Sequence, residues 1–68
     1  MSLSENIKMR RINAGLSQTE LAKRVGVHPS MIGQIERGTK GISLALAAEL
    51  AKVFSCKLDD LVDQGQHE

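Results

Sequence analysis

Apolar positions recur at helical spacing in five short segments of this chain. In the first, about 3–14, Leu3, Ile7, Arg11 and Ala14 share one stripe, with Ser2 or Ser4 available as the cap. In the second, about 18–25, Leu21, Ala22 and Val25 turn inward while Lys23 and Arg24 face water. The third, about 29–37, divides by spacing into two sides. Ile32, Ile35 and Glu36 form one side. Ser30, Gly33, Gln34 and Arg37 form the other, which is small and polar where a solvated face would more often carry Glu and Lys. The fourth, about 44–54, follows Ser43 and directs Leu44, Ala47, Leu50, Ala51 and Phe54 inward. Ser55-Cys56 breaks the period, and a last helix, about 58–62, carries Leu58, Leu61 and Val62. The polar tail, 63–68, is expected to fray. The pattern predicts an all-α, compact five-helix domain spanning 1–68 as a single unit. Helices this short need packing to persist.

The residues between these segments sharpen the picture around 17–38. Ser17 followed by Glu20 is a capping box, each side chain satisfying a backbone N–H that the helix start leaves unpaired. Gly26-Val27-His28 makes a tight turn. Pro29 then occupies a first helical position, where its missing N–H has no intrahelical partner. Gly38 suits the helix end. Two short helices around a glycine turn are the signature of a helix-turn-helix. Arg11, lying in an apolar row, requires a carboxylate within reach unless its long stem carries the guanidinium out to water. Glu36, beside Ile32 and Ile35 on the inner side of the third helix, is the best-placed partner.

Composition narrows the function classes. The chain has 68 residues, 41% of them hydrophobic, with Phe54 the one aromatic, so the core must be aliphatic. No apolar run approaches the roughly 20 residues of a membrane span, and the first residues lack the apolar stretch of a secretory signal. A single cysteine excludes an intrachain disulfide and suits a reducing, cytoplasmic setting. His28, Cys56 and His67 lack metal-ligand spacing, so no metal and no cofactor are expected. No nucleophile, base and orienting group come together in the sequence, so no enzymatic activity is expected. The net charge of +1 conceals an asymmetry. Residues 1–40 carry seven basic groups against three acidic ones, and residues 41–68 carry two against five. The basic half, suited to a polyanion, contains the helix-turn-helix.

The segment LSQTELAKRVGVHPSMIGQIERG resembles the helix-turn-helix of the phage repressor and Cro family, also called XRE-like. Gln18, Glu20-Leu21-Ala22, Gly26, Ile32, Ile35-Glu36 and Gly38 fall together at that family's spacing. IKMRRINAGLSQ is similar to its first helix, and ISLALAAELAKVF with LDDLV to its last two, so the likeness runs from Leu3 to Val62. The resemblance implies a lambda-repressor-like DNA-binding domain with its helix-turn-helix at helices two and three. It also implies a transcriptional regulator, by default a repressor, that binds double-stranded operator DNA as a homodimer with helix three in the major groove. By the same resemblance Ser30 and Gln34 match positions that meet base edges, and Gln18 one that anchors helix two on a phosphate and touches a base. Arg11 and Glu36 match an ion pair between helices one and three. Arg37, Gly38, Thr39 and Lys40 match a loop that meets the DNA backbone, with Arg10 a further phosphate candidate.

Four positions depart from the family pattern. Pro29 replaces a long polar reader, leaving an apolar base contact such as a thymine methyl. His28 replaces the usual Ser or Thr cap, which weakens the helix start unless the ring caps a backbone N–H. Gly33 costs a helix about 1 kcal/mol relative to alanine and either admits a close approach to the groove or makes no contact. Lys57 stands where a small polar cap is common. A dimer surface is expected from the fifth helix and the link before it, with Phe54, Cys56, Leu58 and Val62 as candidates that also suit the core. The rival function is an antitoxin-like or other protein-interaction module that neutralises a partner protein. An exposed apolar patch or a long tail would favour it.

Overall fold

The computed structural model describes residues 2–62, with side chains through residue 61. The chain forms α1 (Leu3–Asn13), α2 (Gln18–Val25), α3 (Pro29–Glu36), α4 (Leu44–Phe54) and α5 (Leu58–Val62), and no strand occurs among the described residues. Two helices stop one residue short of the expected ends, because Ala14 and Arg37 are caps. The expected tail, 63–68, lies outside the described residues.

Local chemistry sets each helix start. Ser2 with Glu5 and Ser17 with Glu20 are full capping boxes. In the second, the Ser17 N–H donates to Glu20 Oε1 over 2.7 Å and the Glu20 N–H donates to Ser17 Oγ over 3.0 Å. The Ser17 backbone N–H, reinforced by the serine side chain, holds the Glu20 carboxyl below the usual carboxylate range, and Ser2 acts on Glu5 in the same way. Ser43 caps α4 through Leu46 N–H, and before α5 the Asp60 carboxylate accepts the Lys57 N–H. At the far end of α4 Ser55 adopts φ +54°, the left-handed conformation that usually selects glycine.

All five helices feed one core. Ile7, Leu21, Ile32, Ile35, Leu50 and Leu61 are essentially inaccessible, joined by Ala22, Leu46, Ala47 and Ala51. α2 and α3 pack on each other, α1 lies across α3 and α5, and α4 lies across α2 and α5. Leu44 departs from expectation. It is 73% exposed, and Leu46 is buried in its place. The buried stripe of α4 is Leu46, Ala47, Leu50 and Ala51, and Leu44 falls about a quarter turn from its centre. Ala14, expected on the α1 stripe, is also exposed.

One polar residue belongs to this core. Asn6 is buried, and its Nδ2 donates to the carbonyl oxygens of Asp60 and Leu61 over 2.8 and 3.2 Å. Its Oδ1 accepts from Arg10 Nε over 2.8 Å. Through these two bonds the side chain fastens the last helix to the first.

Candidate nucleic-acid interface

α3 is short, so its orientation depends on what grips its two ends and inner side. Ile32 and Ile35 anchor the inner side in the core. At the N-terminus the His28 ring supplies the cap: Nδ1 accepts the Ser30 backbone N–H over 3.1 Å. Pro29 follows as the first helical residue. The unusual cap thus performs the work of a serine or threonine. At the C-terminus Gly38 takes φ +79° and donates to the Ile35 carbonyl, while Thr39 N–H donates to that of Gln34. This pair of bonds is a Schellman closure, for which a left-handed residue is required. The turn tucks against α1, where a Cβ on Gly38 would come within 3.4 Å of Ser4 Oγ. Thr39 Oγ1 also donates to the Gln34 carbonyl.

The ion pair expected from the α1 stripe is present. Arg11 Nε lies 2.6 Å from Glu36 Oε2, and Nη2 donates to Oε1 over 3.1 Å. The third donor, Nη1, reaches the Leu16 carbonyl over 2.8 Å. The side chains are 12% and 4% exposed, so the guanidinium does not escape to water. Glu36 has a second role. Its Oε1 also accepts from Gln18 Nε2 over 3.1 Å. One carboxylate therefore joins α1, α2 and α3, and it orients the amide at the start of α2.

Gly33 lies beneath the same cluster. It is buried, and the groups over it are Gln18 and Arg37. A Cβ there would meet Arg37 Nη1 at 3.2 Å and Gln18 Oε1 and Nε2 at 3.6 and 3.8 Å. The missing side chain makes room for these two polar groups of the protein.

Several expected site residues thus come together. Gln18, Gly33 and Arg37 form one cluster built on Glu36, on the helix that also carries Ser30 and Gln34. Arg37, Gly38, Thr39 and Lys40 are exposed in the loop that follows, and Pro29 is half-buried at its head. Lys23 and Arg24 on α2 are exposed as well. Arg10 stands elsewhere: it bonds Asn6 and lines a cleft with Asn13, Ala14, Val53 and Phe54. Phe54 and Cys56 are half-buried against the core, and Leu58 is half-buried. The Val62 side chain lies outside the described residues. Sequence reasoning passed over Asn6. Its one available signal was an amide beside Ile7, four residues before an arginine. No helix among the described residues is long and apolar enough to cross a membrane.

The chain has relatives among known proteins. A Helix-turn-helix family model matches residues 7–61. An uncharacterized HTH-type transcriptional regulator of Archaeoglobus fulgidus is 44% identical over 55 residues, covering 81% of this chain and 78% of the relative. Control protein C.SmaI of Serratia marcescens is 33% identical over 60 residues, covering 88% and 71%. The crystal structure of the restriction-modification controller protein C.AhdI from Aeromonas hydrophila is similar with a TM-score of 0.82 and 30% identity, over 87% of this chain and 89% of that one.

Proposed function

The chain belongs to the helix-turn-helix family of DNA-binding transcriptional regulators, and from that premise we propose that it is a homodimeric, sequence-specific repressor whose α3 enters the major groove of operator DNA. The observation that carries this reading is the outer side of α3. Ser30, Gln34 and Arg37 stand on a helix gripped at both ends, beside a Gln18 amide oriented by Glu36. Base recognition needs such fixed hydrogen-bonding groups, because a side chain that reorients at will discriminates poorly.

The roles follow from residue chemistry. Gln34 presents an amide that pairs bidentately with adenine, worth about 1–3 kcal/mol of discrimination. Ser30 meets a base edge nearer the helix N-terminus, and Pro29 offers an apolar surface to a thymine methyl. Gln18, with its amide tethered, meets a phosphate or an adjacent base. Arg37 and Lys40 neutralise phosphates, and the exposed Gly38-Thr39 turn between them packs against the DNA backbone, contacts that carry no sequence information.

One copy offers few charges and few readers, so binding by a monomer is weak. A two-fold dimer on half-sites about one helical turn apart doubles every contact. The proposed dimer surface comprises α5 and the link before it, including Phe54, Cys56 and Leu58. Bound over a promoter, such a dimer represses by excluding polymerase. The test is a footprint and competition gel shift on DNA upstream of the chain's own gene, at moderate salt. A discrete two-fold site that survives excess non-specific DNA is expected. Binding that shows no preference over competitor DNA would sink the proposal.

A further inference from the structure

The Ser30 hydroxyl is not a neutral probe. Its Oγ lies 2.9 Å from His28 Nδ1, and the backbone N–H of the same serine points at the same nitrogen over 3.1 Å. A backbone N–H direction follows from the peptide plane, so this second contact determines the state of Nδ1. A ring nitrogen that accepts an N–H carries no proton of its own. Nδ1 is therefore the acceptor of this pair and presents its lone pair to Ser30. The hydroxyl contact then has one polarity: Ser30 donates and His28 accepts. With its proton engaged inside the protein, Ser30 Oγ faces outward with lone pairs alone.

We propose that His28 is a positioning residue that makes Ser30 an acceptor-only reader of a base bearing an exocyclic amine. The inference rests on the reading of α3 as the recognition helix. In the major groove adenine offers the N6 amine and cytosine the N4 amine, whereas guanine and thymine present carbonyl oxygens there. An unconstrained serine accommodates either class, because its hydroxyl rotates to donate or accept. A serine or threonine cap at position 28 would have its own rotating proton and impose no fixed polarity on Ser30. The imidazole differs: once Nδ1 accepts the backbone N–H it cannot donate to the hydroxyl. Pro29 contributes by lacking an N–H, which leaves Ser30 as the donor that the ring captures. The unusual His28-Pro29 pair thus exchanges a long reader at the helix start for a short one of defined sense.

Binding-site selection from a randomised duplex pool tests this with the full chain, comparing wild type with Ser30→Ala, His28→Ala, the double variant, His28→Asn and Gln34→Ala. Wild type is expected to enrich adenine or cytosine at one position of each half-site by roughly fivefold to tenfold, the scale of one hydrogen bond. Ser30→Ala and His28→Ala should flatten that same position, and the double variant should flatten it no further. His28→Asn, whose amide oxygen can accept the same two protons, should restore the preference. The proposal is overturned if His28→Ala weakens all sequences alike while the preference persists, since His28 is then a helix cap and nothing more. It is also overturned if wild type enriches guanine or thymine there. If Ser30→Ala flattens no position while Gln34→Ala does, the inference falls and the recognition-helix reading stands. If no α3 variant alters any position, both fall.

Discussion

Replacing Gly33 by alanine should separate stability from DNA binding. Gly33 lies in mid-helix with ordinary helical backbone, so an added Cβ brings no conformational strain and raises helix propensity by about 1 kcal/mol. The opposing effect is steric. The new methyl would stand 3.2 Å from Arg37 Nη1, which must shift by a few tenths of an ångström, and 3.6 Å from Gln18 Oε1, which is ordinary contact. Arg37 is exposed and meets the methyl with the far end of its flexible side chain, so its displacement costs the folded monomer little. The net expectation is a gain of about 0.5–1 kcal/mol, or roughly 2–8 °C in Tm for a domain of this size. Binding should change in the opposite direction. The displaced guanidinium is one of the groups assigned to DNA, and a loss of about 1.4 kcal/mol is a tenfold rise in Kd. Thermal melts followed by helical circular dichroism, paired with fluorescence anisotropy on the footprinted site, measure both. A less stable variant would show that the Gln18–Arg37 cover is too rigid to yield. A more stable variant with unchanged affinity would show that this cover does not face the DNA.

The remaining predictions concern the groups around that cluster. Glu36→Ala should destabilise by about 3 kcal/mol or more, since it strands a largely covered Arg11; chemical denaturation measures this, and a loss below about 1 kcal/mol would mean that Arg11 finds water. Gln34→Ala should relax selection at one base position per half-site, whereas Lys40→Ala should weaken all sequences alike and reduce the salt slope by about 1. Asn6→Ala should cost about 1–3 kcal/mol by leaving the Asp60 and Leu61 carbonyls without its amide, seen as a lower urea midpoint. Glu20, whose folded carboxyl lies below its ordinary range, contributes stability present above that range and lost as pH falls through the depressed value. Glu20→Gln should therefore flatten the acid limb of the stability profile, and an unchanged limb would refute the capping-box account.

The parts legible in the sequence are those governed by short-range rules or by an unavoidable cost. Ser17 and Glu20 are three residues apart, so their reciprocal bonds need no knowledge of the fold. Arg11 within an apolar row demanded a carboxylate wherever the chain passed near it, and Glu36 met the demand. The elements misread depend on how helices cross. Leu44 and Leu46 are equally apolar, and which is buried depends on how α4 lies across α2 and α5. Gly33 gave no hint that Gln18, fifteen positions earlier, would lie over it, because that contact is set by the α2–α3 crossing. Asn6 was obscured for the same reason: its partners are α5 carbonyls more than fifty residues away.

Glu36 shows why the domain keeps a polar network where apolar packing would suffice for stability. A methionine or leucine pair in place of Arg11 and Glu36 would avoid desolvating two charges and could match or exceed the native stability. It could not orient Gln18, whose Nε2 is held by the carboxylate that neutralises Arg11. It would also leave the Leu16 carbonyl, now bonded by Arg11 Nη1, without this donor at the entry to α2. The network thus fixes three things together: the position of α1 against α3, the approach to α2, and the first polar group of the proposed interface. An Arg11→Met, Glu36→Leu double variant should therefore melt near the wild-type temperature yet bind operator DNA at least several-fold more weakly. If its affinity matched wild type, the network would be structural alone, and the orientation of Gln18 would have no bearing on recognition.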